Sequence, residues 1–253
     1  MSDGLVKTGE GAGQAVFRRY LEEWARSGAG ITLDSRQIDL FMKYLVELME
    51  WNKRINLTAI HEEGEIVQKH FIDSLTCLLA APFPTGSRLI DVGAGAGFPG
   101  IPLKIARPDL VVTLLDALQK RVIFLEHLCG ELGLKEIQAV QGRAEDVAHT
   151  APHRESYDIA TARAVARLRV LAEYALPFVR VGGIFIAQKG PEIAPELEEA
   201  RPAIKRLGGE FRLVKKLALP QEAGERNLVV IGKVSPTPPE FPRKAGTPEK
   251  KPL

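Results

Sequence analysis

Membrane-length apolar runs are missing from this chain, and that absence sets the first boundary on its function. No stretch approaches the roughly 20 consecutive apolar residues that span a bilayer, and the residues from Met1 to Glu10 lack the apolar core of a secretory leader. Cysteine is scarce. Cys77 and Cys129 are the only two in 253 residues, and both fall in apolar helical patterns. The expectation is two buried thiols in a reducing cytoplasm, without a disulfide. The five histidines show no ligand spacing, so no metal is expected. Charge of one sign is lacking too. With 34 basic and 32 acidic residues the net charge is +2, so any basic surface must be local.

What is present suits a soluble α/β protein. Hydrophobic residues make up 45% and charged residues 26%, both ordinary values, and the length suits one domain with an appended helical segment. Residues 1–34 read as a mobile polar N-terminus (Met1 to Gly13) and a short helix from Phe17 to Trp24. Residues 35–86 read as a helical extension. Ile38, Phe41, Met42, Leu45 and Met49 give a helix from Ser35 to Trp51 with its N-cap at Asp34 or Ser35. Val67, Phe71, Leu75 and Leu78 give another from Gly64 to Ala80, on which Lys69, His70, Asp73 and Ser74 read as a solvated face. Between them, the stretch Trp51 to Ile60 mixes amide, basic and aromatic residues in a way that neither a core nor a plain loop needs.

In residues 87–234 apolar strands alternate with helical stripes. Strands are expected near Leu89–Val92, Val111–Leu115, Ile137–Val140, Tyr157–Thr161 and Ile184–Ala187, then near Phe211–Leu217 and Asn227–Lys233. Such alternation implies a doubly wound, mainly parallel sheet with helices on both faces. The last two strands have no helix between them and should pair antiparallel.

The chain is organised around Leu89 to Gly100, where a strand runs into Gly93-Ala94-Gly95-Ala96-Gly97-Phe98-Pro99-Gly100 and a helix begins. Strand, glycine turn and helix start together make a site for a nucleotide-like ligand. The spacing also fits a dinucleotide, so a nicotinamide enzyme stays open. Asp91 within the strand, placed to meet a cationic amino group, and Pro99, which removes an N–H from the turn, lean toward S-adenosylmethionine. Beyond the carboxyl ends of the strands stand Gly93 to Phe98, Asp116, Ala144-Glu145, Arg163 and Lys189. Asp116 follows Gly93 by 116 − 93 = 23 positions, near the offset at which an acid meets a ribose. A strand-end acid capping the next helix explains it equally well. Arg163 and Arg167 are expected as i,i+4 neighbours on one helix, with Arg169 and Lys189 close by, and such a gathering points to phosphates. Residues 235–253 hold six prolines, four basic and two acidic residues. By composition they form a disordered end, or else a basic arm that meets phosphates.

Several motifs together resemble the bacterial small-subunit ribosomal RNA methyltransferase G family, also called glucose-inhibited division protein B. They are Asn52-Lys53-x-Ile55-Asn56-Leu57-Thr58-Ala59-Ile60, Lys69-His70-Phe71-Ile72-Asp73-Ser74-Leu75, Asp91 to Leu103, Thr161-Ala162-Arg163-Ala164, Lys189-Gly190 and Phe241-Pro242-Arg243-x-x-Gly246-Thr247-Pro248. Gln188 stands where that family often has methionine. The resemblance implies a Rossmann-like fold with a seven-stranded sheet and transfer of a methyl group from S-adenosylmethionine to N7 of a guanosine in 16S ribosomal RNA. By position it implies cofactor contacts from Gly93, Gly95, Phe98, Ala144, Glu145 and Arg163, with Asp116 at the ribose. It puts Arg163, Lys189 and His70 at the reacting centre, and it moves Lys69-His70 and the tail to the RNA or active-site surface. The expected partner is the small ribosomal subunit or its RNA, met by a cytoplasmic monomer without metal. A non-catalytic RNA-binding factor that kept the fold is the rival from another class.

Overall fold

The computed structural model describes residues 10–163, 166–220 and 223–253. Met1 to Gly9, from the expected N-terminal segment, and Ala164, from one motif, lie outside the described residues.

Seven strands form one sheet: β1 (Arg88–Val92), β2 (Val111–Asp116), β3 (Ile137–Gln141), β4 (Tyr157–Arg163), β5 (Val179–Lys189), β6 (Gly209–Ala218) and β7 (Glu225–Lys233). Their order is β3-β2-β1-β4-β5-β7-β6. β1 to β5 pair in parallel, while β7 runs antiparallel to both β5 and β6. The central strands are buried on both faces, with Leu89, Ile90, Leu114, Ala160 and Ile186 at or near zero exposure, which is why they read as unbroken apolar runs. From β1 the order runs one way to β2 and the other way to β4. That switch point opens a crevice beyond the carboxyl ends of the strands.

The helical extension is longer than the sequence pattern suggests. α1 spans Glu10–Ala29 and α2 spans Ser35–Ile55, so α1 begins well before Phe17 and α2 runs four residues past Trp51. A capping box opens α2: the Asp34 carboxylate accepts from the Gln37 N–H at 2.7 Å and the Gln37 side-chain oxygen accepts from the Asp34 N–H at 2.9 Å. Asn56, in the left-handed region at φ 45°, closes it.

The expected helix from Gly64 to Ala80 is a composite. α3 (Glu63–Ile66) runs into a π-turn (Val67–Ile72), then α4 (Asp73–Leu75), then a 3-10 turn (Thr76–Leu79). Each residue carries a helix about 100° round its axis, and the wider π-turn breaks that phase. The solvated face expected for Asp73 and Ser74 is therefore turned inward, at 3% and 0% exposure.

The remaining helices follow the strands: α5 (Gly100–Ala106), α6 (Gln119–Glu131), α7 (Ala144–Val147), α8 (Leu168–Ala175) and α9 (Ala194–Arg206). Arg163 and Arg167 do not share a helix, because Arg163 ends β4 and Arg167 is the N-cap of α8. The tail is not a loose end. It packs on the domain, with Thr237 and Phe241 at 4% and 1% exposure, and forms a short helix α10 (Thr247–Lys250). Prolines that exclude a long helix still permit one turn with Pro248 in its first positions.

Candidate active site

The glycine turn after β1 is held by its own backbone. Gly93, Gly95 and Gly97 all have positive φ, at 75°, 60° and 98°, a conformation that costs any other residue. At Gly97 a Cβ would also stand 2.6 Å from Ile101 and 2.8 Å from the Tyr44 hydroxyl. The N–H groups of Gly93 and Ala94 donate to the Leu115 carbonyl, and those of Gly97 and Phe98 to the Ala94 carbonyl. The Gly95 N–H donates to the Asp116 carboxylate at 2.9 Å. Five of the six donors from Gly93 to Phe98 are thus engaged inside the protein. A turn that cradles a pyrophosphate needs those donors free.

Asp91 lies beneath this turn and not in the crevice. It is fully buried, accepts from the Gly100 N–H at 2.8 Å and faces the Thr161 hydroxyl at 3.3 Å. Burial pushes its carboxyl up to about 7, against the opposing pull of the Gly100 N–H and the Arg163 charge. The direct meeting with a cationic group expected from sequence is replaced by support of the turn from below.

One crevice follows the carboxyl edge from β3 to β4. Its β2 side is lined by Val92, Gly93, Leu115, Asp116, Ala117 and Gly142 to Glu145, with Tyr174 and Glu249 at the rim. Its β4 side shares Gly93, Asp116 and Ala117 and adds Thr58, Gly95, Phe98, Arg121, His70 and Arg163. Asp116 holds both the Gly95 N–H and, at 2.9 Å, the Leu118 N–H at the start of α6. The capping role is present, and a carboxylate has further lone pairs for a hydroxyl. Glu145, 4% exposed, accepts from the Gly246 N–H of the tail at 2.9 Å. The Nε of Arg121 is buried without an acceptor.

The β4 side carries the chemistry of side chains. The Phe98 ring stacks on His70 at 4.5 Å and on Tyr44 at 5.2 Å, and the Arg163 guanidinium lies 4.9 Å from its centre. Arg163 donates to the Lys69 carbonyl at 3.0 Å, to His70 Nδ1 at 3.1 Å and to Asp73 at 3.2 Å. Arg226 reaches the other Asp73 oxygen at 3.1 Å. His70 Nδ1 faces both the Arg163 guanidinium and, at 3.1 Å, the Lys69 carbonyl, and its Nε2 lies 2.7 Å from the Thr58 hydroxyl. When Nδ1 accepts from the guanidinium, which can only donate, Nε2–H donates to Thr58. Thr58 is set in turn by Asn52, whose side-chain oxygen accepts the Leu57 and Thr58 N–H groups and whose amide donates to the Thr58 carbonyl. His70 is pushed down to about 3, first by burial and then by the positive charge of Arg163. It is a neutral imidazole with almost no basicity at physiological pH.

The crevice brings together Gly93, Gly95, Phe98, Asp116, Ala144, Glu145, His70 and Arg163 among the residues singled out in the sequence. Lys189 is not among its walls. Its ammonium pairs with Glu196 at 2.8 Å and donates to the carbonyl of Ala166, itself a lining residue. The other expected basic neighbours are paired as well, Arg167 and Arg169 with Glu199 and Lys69 with Glu65. The gathering of free cations expected there is a set of ion pairs. Sequence reasoning missed Tyr44, Arg121, Tyr174 and Arg226. Asn52 and Thr58 lay in the stretch whose mixed composition had no core explanation and in a motif that carries the family resemblance, and neither signal assigned them a role.

The model of the family described as rRNA small subunit methyltransferase G matches residues 37–229. The chain belongs to this family. It is 52% identical to the ribosomal RNA small subunit methyltransferase G of Brevibacillus brevis, over 88% of this chain and 94% of that one. It is 48% identical to the protein of the same name from Pelotomaculum thermopropionicum, over 94% of this chain and the whole of the other. Among solved structures, TrmN from Thermus thermophilus aligns over 66% of this chain and 53% of its own with TM-score 0.51 and 18% identity. YcgJ from Bacillus subtilis aligns over 66% and 100% with TM-score 0.50 and 16% identity. These two likenesses speak for the fold alone, and with the sheet order they bear out the Rossmann-like architecture expected for the family.

Proposed function

We propose that the crevice binds S-adenosylmethionine and that the chain methylates N7 of a guanosine in 16S ribosomal RNA. The observation that carries the choice of ligand is the inward-facing glycine turn. With its N–H groups engaged, it has little to offer a pyrophosphate, while the carbonyls of Gly93 and Gly95 accept no bond from the described residues and face a cationic ligand favourably. Gly93, Asp116, Ala144 and Glu145 form the adenosine end, beside Arg121, whose guanidinium pairs with Asp116 at 3.4 Å. The bound cofactor supplies an electrophilic methyl group on a sulfonium.

The acceptor side needs no base. Guanine N7 presents a lone pair, so nothing has to remove a proton before it attacks. That agrees with a wall made of Phe98, Arg163 and a neutral His70. The task of these groups is to orient the base and exclude water, and orientation can contribute about 7–11 kcal/mol when reactants are held in line. Lys189 acts at one remove by fixing Ala166. On this reading the partner is the small subunit or its RNA, met by a monomer in the cytoplasm. No described helix is long and apolar enough to cross a membrane, and no cluster of metal-ligating groups occurs among the described residues.

Two measurements test this reading. Calorimetry should show binding of S-adenosylmethionine and none of NAD. Mass mapping of 16S ribosomal RNA should show one N7-methylguanosine that disappears when the gene is deleted. NAD binding alone, or an unchanged methylation map, would overturn it.

A further inference from the structure

The tail reaches the crevice on a fixed path. It leaves β7 beside Lys233, a fully buried ammonium that donates to the carbonyls of Leu176 and Val179 and to the Thr237 hydroxyl. Arg154 then clamps it by donating to the carbonyls of Phe241 at 2.9 Å and Thr237 at 2.9 Å. Phe241 is buried, with the Arg206 guanidinium 5.0 Å from its ring centre. Next comes Arg243. Its backbone N–H and Nε both donate to one oxygen of Glu173, at 2.8 and 2.9 Å, and its Nη2 to the other at 2.6 Å. Glu173 itself is completely buried. Three residues further on, the Gly246 N–H caps Glu145, and Glu249 of α10 stands at the rim of the crevice beside Tyr174.

We propose that residues 241–249 are a strap that forms the outer wall of the adenosine end of the crevice, with Arg243 and Glu173 as its latch. The inference rests on the cofactor reading above. Bidentate arginine–carboxylate pairing has one geometry, so the latch sets where Gly246 and Glu249 stand relative to Ala144, Glu145 and Tyr174. Arg243 is a positioning residue, since it touches neither end of the crevice itself. The basic character read from the tail's composition is to that extent used internally and not turned toward phosphates. Glu145, whose carboxylate already holds the strap, serves the cofactor partly through it.

Replacing Arg243 alone leaves the Glu173 carboxylate buried and unpaired, which threatens the fold. The test is therefore the double variant E173M/R243M, which removes both charges, followed by titration with S-adenosylmethionine. The expected result is at least a tenfold weaker affinity, with KM for the cofactor raised, KM for the RNA substrate unchanged and kcat largely retained. E145A, which removes the acceptor for the Gly246 N–H, should weaken cofactor binding at least as much as the latch variant does. Amide exchange on the unaltered protein gives a second reading: S-adenosylmethionine should slow exchange from Arg243 to Lys250 at least tenfold. Wild-type cofactor affinity in the folded latch variant, or exchange in this segment indifferent to the cofactor, overturns the proposal. Failure of the wild type to bind S-adenosylmethionine overturns the cofactor reading itself and this one with it.

Discussion

On the β2 side of Gly93 the crevice is walled by backbone and small side chains, whereas on the β4 side it is walled by long side chains held in place by one another. The first wall follows from local rules. A strand ends, a turn of positive-φ glycines follows, Asp116 ends β2, and Ala144-Glu145 open α7 just beyond β3. The second wall is assembled from Asn52, Thr58, His70, Asp73, Arg163 and Arg226, which come from five separate segments. On the proposed reading the first half binds the cofactor, and it tolerates few added atoms. The second is a network in which each member fixes the next.

The largest effect should come from filling the first wall. Gly93→Arg puts a side chain where the backbone faces the ligand and forces a non-glycine residue to φ near 75°. Cofactor binding should be abolished while far-ultraviolet circular dichroism stays that of the wild type. A folded variant with unchanged affinity would show that the ligand does not approach this turn.

Breaking the second wall should act on rate. Arg163→Ala removes contacts to Lys69, His70, Asp73 and the Phe98 ring together. Loss of about 100-fold or more in turnover is expected, the scale for a reacting group displaced by about 1 Å, with a much smaller change in cofactor affinity. Arg163→Lys should not rescue it, because a point ammonium cannot reproduce the fork. Asp73 keeps Arg226 as partner, so the stability loss should fall below the roughly 3–5 kcal/mol of a stranded buried charge. Equal losses in affinity and rate would erase the distinction between the two walls.

Asp116 sits where the walls meet, and its effect should be smaller. Asp116→Ala removes the acceptor for the Gly95 and Leu118 N–H groups. It should weaken cofactor binding by about 1–3 kcal/mol, the range for a hydrogen bond to a charged group. Calorimetry showing no change would leave it with the capping role alone.

The two walls also differ in how far they could be read from the sequence. Period and turn chemistry are local, so all seven strands, the glycine turn and the order of the elements were legible, as was the antiparallel end of the sheet. The exceptions have physical reasons. A π-turn at Val67–Ile72 shifts the phase of its helix, so a pattern that assumes 3.6 residues per turn assigns Asp73 and Ser74 to solvent. Ion pairing across the fold is invisible in one dimension. Lys189 with Glu196, Arg167 with Glu199 and Arg243 with Glu173 therefore turned an expected set of free cations and a disordered tail into ion-paired structure. Composition describes the tail's prolines and charges correctly, and it cannot report a buried carboxylate 70 residues away.

The smallest expected effect is on pH dependence, and here the walls predict different measurements. With both substrates saturating, the single-turnover rate should be flat between about pH 6.5 and 8.5, since N7 needs no proton removed and His70 is held down to about 3. His70→Ala should lower the rate without introducing an inflection. Asp91, raised to about 7 beneath the glycine turn, does titrate in this window. Its ionised form places a buried negative charge under a site for a cationic ligand, so cofactor affinity should rise as pH climbs through about 7. Asp91→Asn, which can still accept from the Gly100 N–H, should remove that rise and leave the saturated rate flat. Stability carries the same two groups with opposite signs. The raised Asp91 contributes stability that is complete below the ordinary carboxyl range and lost as pH rises through about 7. The depressed His70 contributes stability that is complete above about 6.5 and lost as pH falls toward about 3. Thermal unfolding across pH should therefore show Asp91→Asn gaining on the wild type as pH rises from the ordinary carboxyl range to about 7, and holding that gain above it. A saturated rate that rises with unit slope and goes flat in His70→Ala would instead reveal proton abstraction, and the N7 assignment would fall with it.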